Sequence, residues 1–254
     1  DTKLTSVEHK AISDNNVRAI FEDSFGVLWI GTLNGGMNQV NRFSESGEPL
    51  APEDYTFTYF NHSPNDPNSL SGDYVLVIHE DSNRQLWVGT QTGLNRFNRQ
   101  HNNFTRFVHD KNKPDSLSDD FINSLFSDHN GRLWIGTANG GLNLLAENKA
   151  NIVNENKFAV DSDHSFIHFK HEPDNDSSLS SNTLFSMAQD SKGLLWLGTS
   201  NGLNRLNPET EKAIHFRVKD GLSSDRVFIV MVDDSDNVWV GGSQKAALAR
   251  ISYK

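Results

Sequence analysis

All five tryptophans of the chain lie in the same short phrase, and this repetition restricts the fold more than any other feature of the sequence. In each phrase an aliphatic residue, Trp, a second aliphatic residue and Gly follow one another, and the phrases are centred on Trp29, Trp87, Trp134, Trp196 and Trp239. An Asp stands six residues before every Trp, and an aliphatic residue or Met stands nine residues before it. Self-similarity with a period of about fifty residues indicates five copies of one supersecondary unit.

Each copy reads as four short strands. A β-branched or aromatic run such as VLVIHED comes first and is apolar on both faces, which predicts a fully buried strand. The Trp phrase is the second strand, the run after the following Gly is the third, and an FxxF-like run is the fourth. The copies differ in length mainly through two insertions, at residues 41–54 and 146–165, as expected for exposed loops.

Four antiparallel strands per copy are typical of the blade of a β-propeller. We therefore expect an all-β fold, a β-propeller of five four-stranded antiparallel blades, with residues 1–254 forming a single propeller domain or a fragment of one. The last copy lacks a fourth strand, and the strand-like segment at residues 3–7 fits that position, which would close a ring and hide its open edges. A closed five-blade ring and an arc of a larger propeller both agree with the sequence.

The charge balance excludes some classes of partner. The chain has 23 Lys and Arg against 33 Asp and Glu, a formal net charge of −10, which works against nucleic acid because affinity for phosphate backbones comes largely from basic residues. Neither an apolar run of membrane-spanning length nor a signal peptide is recognisable, so membrane contact is expected through segments absent from this chain. Without cysteine the chain has no disulfide and no thiolate site.

The repeated phrases resemble a known family. The segments DPNSLSGDYVLVIHEDSNRQLWVGTQTGLNRF and SLSSNTLFSMAQDSKGLLWLGTSNGLNRL are similar to the two-component regulator propeller repeat, and the likeness is met five times over essentially the whole chain. The resemblance implies the periplasmic sensor portion of a bacterial inner-membrane protein, a hybrid histidine kinase or a diguanylate cyclase. In that family the rings usually have seven blades, which would make this chain an arc, and the blades receive a small molecule, often a glycan fragment, or mediate dimerisation.

The resemblance also places the output enzyme beyond a transmembrane helix, so this chain is expected to have no enzymatic activity. No cofactor and no metal are expected. The partners to be considered are a small molecule or oligosaccharide and a second copy of the chain.

The repeated polar residues have structural interpretations. The Asp before each turn, from Asp23 to Asp233, is expected to accept backbone N–H groups in that turn rather than to bind metal. The tryptophans are expected to pack between adjacent blades, with each indole N–H finding one partner. His62, His109 and His171 each stand eight residues before a Leu of an SLS phrase, which favours a shared loop conformation over a ligand-lining rim.

The loops that precede the first strand of each copy emerge on one face of the predicted propeller, and this face is the better candidate for recognition. Amides, carboxylates, aromatic rings and one Arg there suit a polyhydroxylated ligand. The candidate ligand-binding residues are Asn16, Asp73, Tyr74, Asp120, Phe121, Asn182, Asp225 and Arg226. The alternative interpretation is that these residues cap strands and bind water.

Two rival functions remain open from the sequence. Asp73, Asp120 and Asp225 hold equivalent positions and would suit a propeller-fold glycan-cleaving enzyme, which needs two carboxyl groups at roughly 5–5.5 or 6.5–9.5 Å. These three residues belong to the general repeat pattern, however, which favours structure over catalysis. The other rival is a non-catalytic protein–protein or dimerisation scaffold, for which the two insertions would provide contact surface.

Overall fold

The computed structural model describes residues 8–44, 46–146, 164–242 and 248–251. Apart from two 3₁₀ turns, Pro52–Asp54 and Val218–Asp220, all regular structure in these ranges is β-strand. No helix in this part of the chain is long and apolar enough to cross a membrane. The chain divides into two compact units, Asp1–Phe107 and Val108–Lys254, which are described in turn.

The first unit contains two antiparallel sheets. One has five strands in the order β1-β5-β4-β3-β2, and the other has four in the order β6-β7-β8-β9. The strands of the first sheet are β1 (Glu8–His9), β2 (Val17–Glu22), β3 (Leu28–Thr32), β4 (Met37–Asn41) and β5 (Thr56–Phe60). Those of the second are β6 (Val75–Glu80), β7 (Leu86–Thr90), β8 (Gly93–Asn98) and β9 (Asn103–Phe107).

The second unit contains three antiparallel sheets, each in sequential order, with four, four and three strands. The first consists of β10 (Ile122–Ser127), β11 (Leu133–Thr137), β12 (Leu142–Ala146) and β13 (Ser165–Phe169). The next consists of β14 (Leu184–Gln189), β15 (Leu195–Thr199), β16 (Gly202–Asn207) and β17 (Lys212–Phe216). The last consists of β18 (Val227–Val232), β19 (Val238–Gly242) and β20 (Leu248–Ile251).

These sheets confirm the predicted all-β fold and the antiparallel strand order of each copy. The segment at residues 3–7, predicted to complete the last copy, lies outside the described residues. The residues that follow it behave differently from that expectation, because Glu8 and His9 pair with Thr58 and Phe57 at the outer edge of the first sheet. A two-residue strand covers the open edge of β5 there. Of the two insertions, most of residues 146–165 also lies outside the described part of the chain.

Adjacent sheets pack on the tryptophans, as predicted. In the first unit Trp29 lies in one core cluster with Phe97 of the next sheet, and the two ring centroids are 5.2 Å apart at an interplanar angle of 70°. In the second unit Trp134 lies in one cluster with Leu184 and Leu195 of the next sheet. Four of the five indoles are buried and Trp239 is half-buried, so the repeated Trp is a core residue.

The Gly of the Trp phrase allows this close approach. A Cβ added at Gly31 would lie 2.5 Å from Cγ1 of Val75, and one added at Gly198 would lie 2.7 Å from the carbonyl oxygen of Val227. Both neighbours belong to the first strand of the following sheet. A side chain at the Gly position would therefore push the sheets apart.

A buried Asn in the third strand ties each of the first four sheets to the loop that precedes it. In the second unit Asn204 Oδ1 accepts the backbone N–H of Ser180 at 2.8 Å, and its Nδ2 donates to the Ser180 hydroxyl at 2.6 Å. Asn38, Asn95 and Asn143 make the same pair of bonds to Ser13, Ser71 and Ser118. All four Asn side chains are fully buried. Buried amides whose donors and acceptors are satisfied fix one loop position relative to the sheet.

The prediction that the first strands are fully buried is wrong for the first and last sheets. In the first sheet Ile20 is 68% exposed, whereas its equivalents Ile78, Leu125 and Val230 are at most 8% exposed. In the last sheet Met231 is 59% exposed. These two strands each leave one apolar face in solvent.

Candidate functional site

The repeated Asp and Trp of each copy form a hydrogen-bonded unit that we call the Asp–Trp clasp. Its Asp Oδ1 accepts the backbone N–H groups two and four residues later, and Oδ2 accepts the indole N–H six residues later. In the Asp190 clasp these distances are 3.0, 2.9 and 2.9 Å. The same three bonds recur at Asp23, Asp81, Asp128 and Asp233. The predicted turn role of the Asp is confirmed. Its hydrogen bond to the indole could have been predicted from the fixed spacing of six residues between Asp and Trp.

In three of the clasps, those of Asp23, Asp128 and Asp233, these hydrogen bonds lower the pKa of the carboxyl group. The bonds from the Trp239 indole and from Asn237 lower the pKa of Asp233 to about 2. Burial raises the pKa of Asp23 and Asp128, but the indole, the turn backbone and a neighbouring Arg more than offset it, so both pKa values lie below the ordinary range. These three clasps therefore stabilise the fold in their charged form.

We expect acid to weaken the protein in a defined pH window. Because the folded pKa of Asp233 is lower than its ordinary value of 3.8, its contribution is present above about pH 4 and lost as the pH falls towards 2. Urea denaturation at pH 7, 4.5 and 2.5 should show the loss between the last two values. An Asp233→Asn variant should lose less stability over that interval than the parent, and an equal loss would contradict the assignment.

The three repeated His residues serve loop structure, as predicted. The Nδ1 atoms of His62, His109 and His171 lie 2.8, 2.8 and 2.6 Å from the carbonyl oxygens of Leu70, Leu117 and Leu179. Each ring therefore spans the loop between the fourth strand of one sheet and the first strand of the next. Within the described residues, no three His, Asp or Glu side chains are grouped as metal ligands.

Four of the eight candidate ligand-binding residues hold these same loops. Asp73, Asp120 and Asn182 each accept a backbone N–H with one side-chain oxygen, at 2.7, 2.6 and 2.7 Å, and the donors are His62, His109 and His171. Asp225 accepts the backbone N–H of Val218 at 2.8 Å in the corresponding loop. One side-chain oxygen of each of these four residues therefore holds the loop to which the residue belongs.

The other four candidates are Asn16, Tyr74, Phe121 and Arg226, and each immediately precedes the first strand of its sheet. The carbonyl oxygens of Asn16, Tyr74 and Phe121 accept the backbone N–H that follows the second strand, at 2.9, 3.2 and 3.0 Å. This fixes the backbone at the same point in three copies. The side chains at that point differ from copy to copy, and those of Asn16 and Arg226 are exposed.

The structure brings two of these candidates together with residues that the sequence analysis did not select. In the first unit the Arg18 guanidinium lies over the Tyr74 ring, 5.7 Å from its centroid. In the second unit the Arg226 guanidinium lies 5.8 Å from the Phe228 ring centroid, and Phe228 contacts Phe185 at a centroid distance of 4.8 Å. Arg18, Phe185 and Phe228 all stand eleven residues before a Trp. This shared spacing is the sequence feature from which the three residues could have been selected.

The first unit also has an open surface groove of about 630 Å³ on its first sheet, beside the insertion at residues 41–54. Several polar groups that line it are already bonded within the protein. Arg42 pairs with Glu22 at 2.6 Å, and the Asn41 amide donates to Thr56 and Thr58. The sequence analysis did not predict this groove. Because several of its polar groups are already hydrogen-bonded within the protein, few of them are free to bind a ligand.

Comparison with protein families identifies the repeat. The family described as two component regulator propeller matches four segments of the chain, residues 11–34, 69–92, 116–139 and 178–201. Each segment includes one Asp–Trp clasp and the end of the loop that precedes the first strand. Among curated proteins, none matches the sequence significantly.

Solved structures share the fold. The extracellular domain of a putative hybrid two component system from B. thetaiotaomicron is similar with a TM-score of 0.69 and 21% identity, over 94% of this chain and 30% of that chain. A second such domain from the same organism gives 0.60 and 21%, over 98% and 34%. Virginiamycin B lyase from Staphylococcus aureus gives 0.59 and 12%, over 96% and 73%. The chain thus spans about a third of the extracellular domains that it resembles.

Proposed function

We propose that this chain, which belongs to the two-component regulator propeller family, is a ligand-binding part of the periplasmic sensor region of a transmembrane signalling protein. The observation that carries the proposal is an internal comparison of the copies. The clasp, the loop His and the buried Asn recur because the fold needs them. The position eleven residues before each Trp is different. It carries Arg18, Leu76, Asn123, Phe185 and Phe228, so the side chain at this one position varies between sheets whose other residues repeat.

A polyhydroxylated molecule suits the side chains near this position within each unit. Flat apolar rings can pack against the C–H faces of a sugar, while amide and guanidinium groups orient its hydroxyls. Phe228 is 39% exposed, Asn16 is exposed, and Arg18 is exposed beside the Tyr74 ring. The similarity to extracellular domains of hybrid two component systems supports the location outside the cytoplasm.

The contacts of the three equivalent Asp residues argue against a catalytic role for them. In each of Asp73, Asp120 and Asp225 one carboxylate oxygen is held by a backbone N–H of the preceding loop. A glycan-cleaving site would need one carboxyl to act as an acid and its partner to face the same bond. Residues that repeat because they build loops do not meet that requirement on their own.

A thermal-shift screen with a panel of oligosaccharides tests the proposal. One sugar class should raise the unfolding temperature, since a ligand at a hundred times its Kd adds about 2.7 kcal/mol of stability. The same incubations should release no new reducing ends. New reducing ends would establish the enzyme instead, and a dimer that no glycan affects would establish a scaffold.

We further propose that the exposed apolar faces of the first and last sheets are packing faces, each covered by another sheet of the same kind in a larger propeller. Val17 and Ile20 are exposed on the first sheet, at the positions where Val75 and Ile78 are buried against a neighbour. Ile229 and Met231 are exposed on the last sheet. Both faces carry apolar side chains of the same kind as those that are buried between adjacent sheets.

Paired substitutions test this arrangement in the chain as it stands. Ile20→Lys should change the free energy of unfolding by less than about 0.5 kcal/mol, as at other surface sites. Ile78→Lys, at the equivalent buried position, should cost about 3 kcal/mol or more because it buries a charge without a partner. Urea denaturation of both variants measures the difference. A large loss from Ile20→Lys would show that a sheet of this chain covers the face, which would support a closed ring.

A further inference from the structure

We infer that the ligand is an acidic oligosaccharide and that Arg226 binds a carboxylate of it, an inference that rests on the proposed function and names its ligand class. Arg226 precedes β18 in the second unit and is exposed. Within the described part of the chain, its contacts are a backbone hydrogen bond to the Ser224 hydroxyl and the ring of Phe228. No carboxylate in that part pairs with its guanidinium.

This situation differs from that of Arg99 and Arg132, which pair with carboxylates. Acidic residues outnumber basic ones by 33 to 23, so carboxylate partners are plentiful. Arg99 pairs with Asp23 and Glu80 at 2.8 and 3.0 Å, and Arg132 pairs with Asp128 at 2.6 Å. Those guanidinium groups are used for the fold. The Arg226 head is held by a ring, which leaves its charge available.

The ring contact prepares the guanidinium for an anion. A guanidinium that lies on an aromatic ring uses one of its planar faces, while its N–H groups point outwards in the plane of the head. That edge matches the two oxygens of a carboxylate in a bidentate pair, which is stronger and more directional than a hydrogen bond to a neutral hydroxyl. Phe228 and Phe185 then supply an apolar surface beside the bound anion.

The first unit repeats the arrangement independently. Arg18 is exposed, lies over the Tyr74 ring at 5.7 Å and has no carboxylate partner among the described residues. The two arginines come from different positions in the repeat, one eleven and one thirteen residues before its Trp. The same pairing of an arginine with an aromatic ring at the start of a first strand therefore arises twice from different sequence positions.

Matched ligands and variants test the inference by isothermal titration. Oligogalacturonate, its methyl ester, a neutral galactose oligomer and a sulfated disaccharide are compared on the parent chain. The acid form should bind, and its methyl ester, which has the same ring without the charge, should bind at least about tenfold more weakly. Arg226→Gln should lose a similar factor, and Arg226→Lys should recover part of it, since Lys keeps the charge without the planar fork.

Arg84→Gln is the control variant. Arg84 is also exposed and lies 5.7 Å from the ring centroid of Phe25. It differs in position, because it lies in the turn that follows a first strand and not at the start of one. It should bind oligogalacturonate like the parent. Equal binding of the neutral oligomer, preference for the sulfated sugar, or an unchanged affinity in Arg226→Gln would each overturn the inference while leaving a sugar sensor in place. Failure of every sugar in the panel, and of the wider screen, would overturn both the inference and the proposed function.

Discussion

Replacing Asp190 by Ala should lower the free energy of unfolding by about 3 kcal/mol or more. Asp190 and Trp196 are both fully buried, and the carboxylate accepts the indole N–H at 2.9 Å together with two backbone N–H groups of the turn. Hydrogen bonds to a charged acceptor are among the stronger ones in proteins, and a buried donor that loses its acceptor also pays its full desolvation cost. Urea denaturation at pH 7 measures the loss.

The same clasp at the edge of the last sheet is the control. Asp233 makes the same three bonds, but its Trp239 is only half-buried, so water can replace the missing acceptor. Asp233→Ala should therefore cost clearly less than Asp190→Ala. Equal costs would mean that burial does not set the strength of the clasp. A Trp196→Phe background should reduce the cost of Asp190→Ala, since the donor is then already absent.

The architecture could be predicted from the sequence because the repeat supplies five independent views of one unit. A strand that is ambiguous in one copy is confirmed by its position in the others, as for the short LARI segment that forms β20. The two-residue strand β1 had no such support, since it is not part of the repeat. Its position at the edge of β5 depends on backbone groups left open there, which no side-chain pattern encodes.

The contacts of the candidate site residues could not be predicted from the sequence. The Asp or Asn near the end of each loop, such as Asp73 eleven residues after His62, looks like a free polar side chain on the rim in the sequence. Only the folded loop brings the backbone N–H to it. Conversely, Arg18 and Phe228 lie within apolar strands, where alternation suggests burial, and their exposure depends on which sheets cover those strands.

The buried Asn of the third strand offers a test in which one atom changes. Asn204→Asp keeps the shape of the side chain but places a carboxylate at a fully buried position. In the parent protein the Asn204 amide donates to the Ser180 hydroxyl and accepts the Ser180 N–H. An ionised carboxylate at this position could accept but could not donate. Burial should raise the pKa of the new carboxyl by about three units, which corresponds to a loss of about 4 kcal/mol at pH 7.

The pH dependence of Asn204→Asp should run opposite to that of the parent. Below its raised pKa the carboxyl is protonated and can donate and accept like the amide, so the penalty should shrink as the pH falls towards about 4. The parent weakens in acid only below that range, where Asp233, with a pKa of about 2, begins to protonate. Asn65→Asp, which adds the same charge at an exposed loop position, should leave stability unchanged at both pH values. A penalty that is absent at pH 7, or that persists in full at pH 4.5, would show that this Asn does not serve as a buried link between the third strand and its loop.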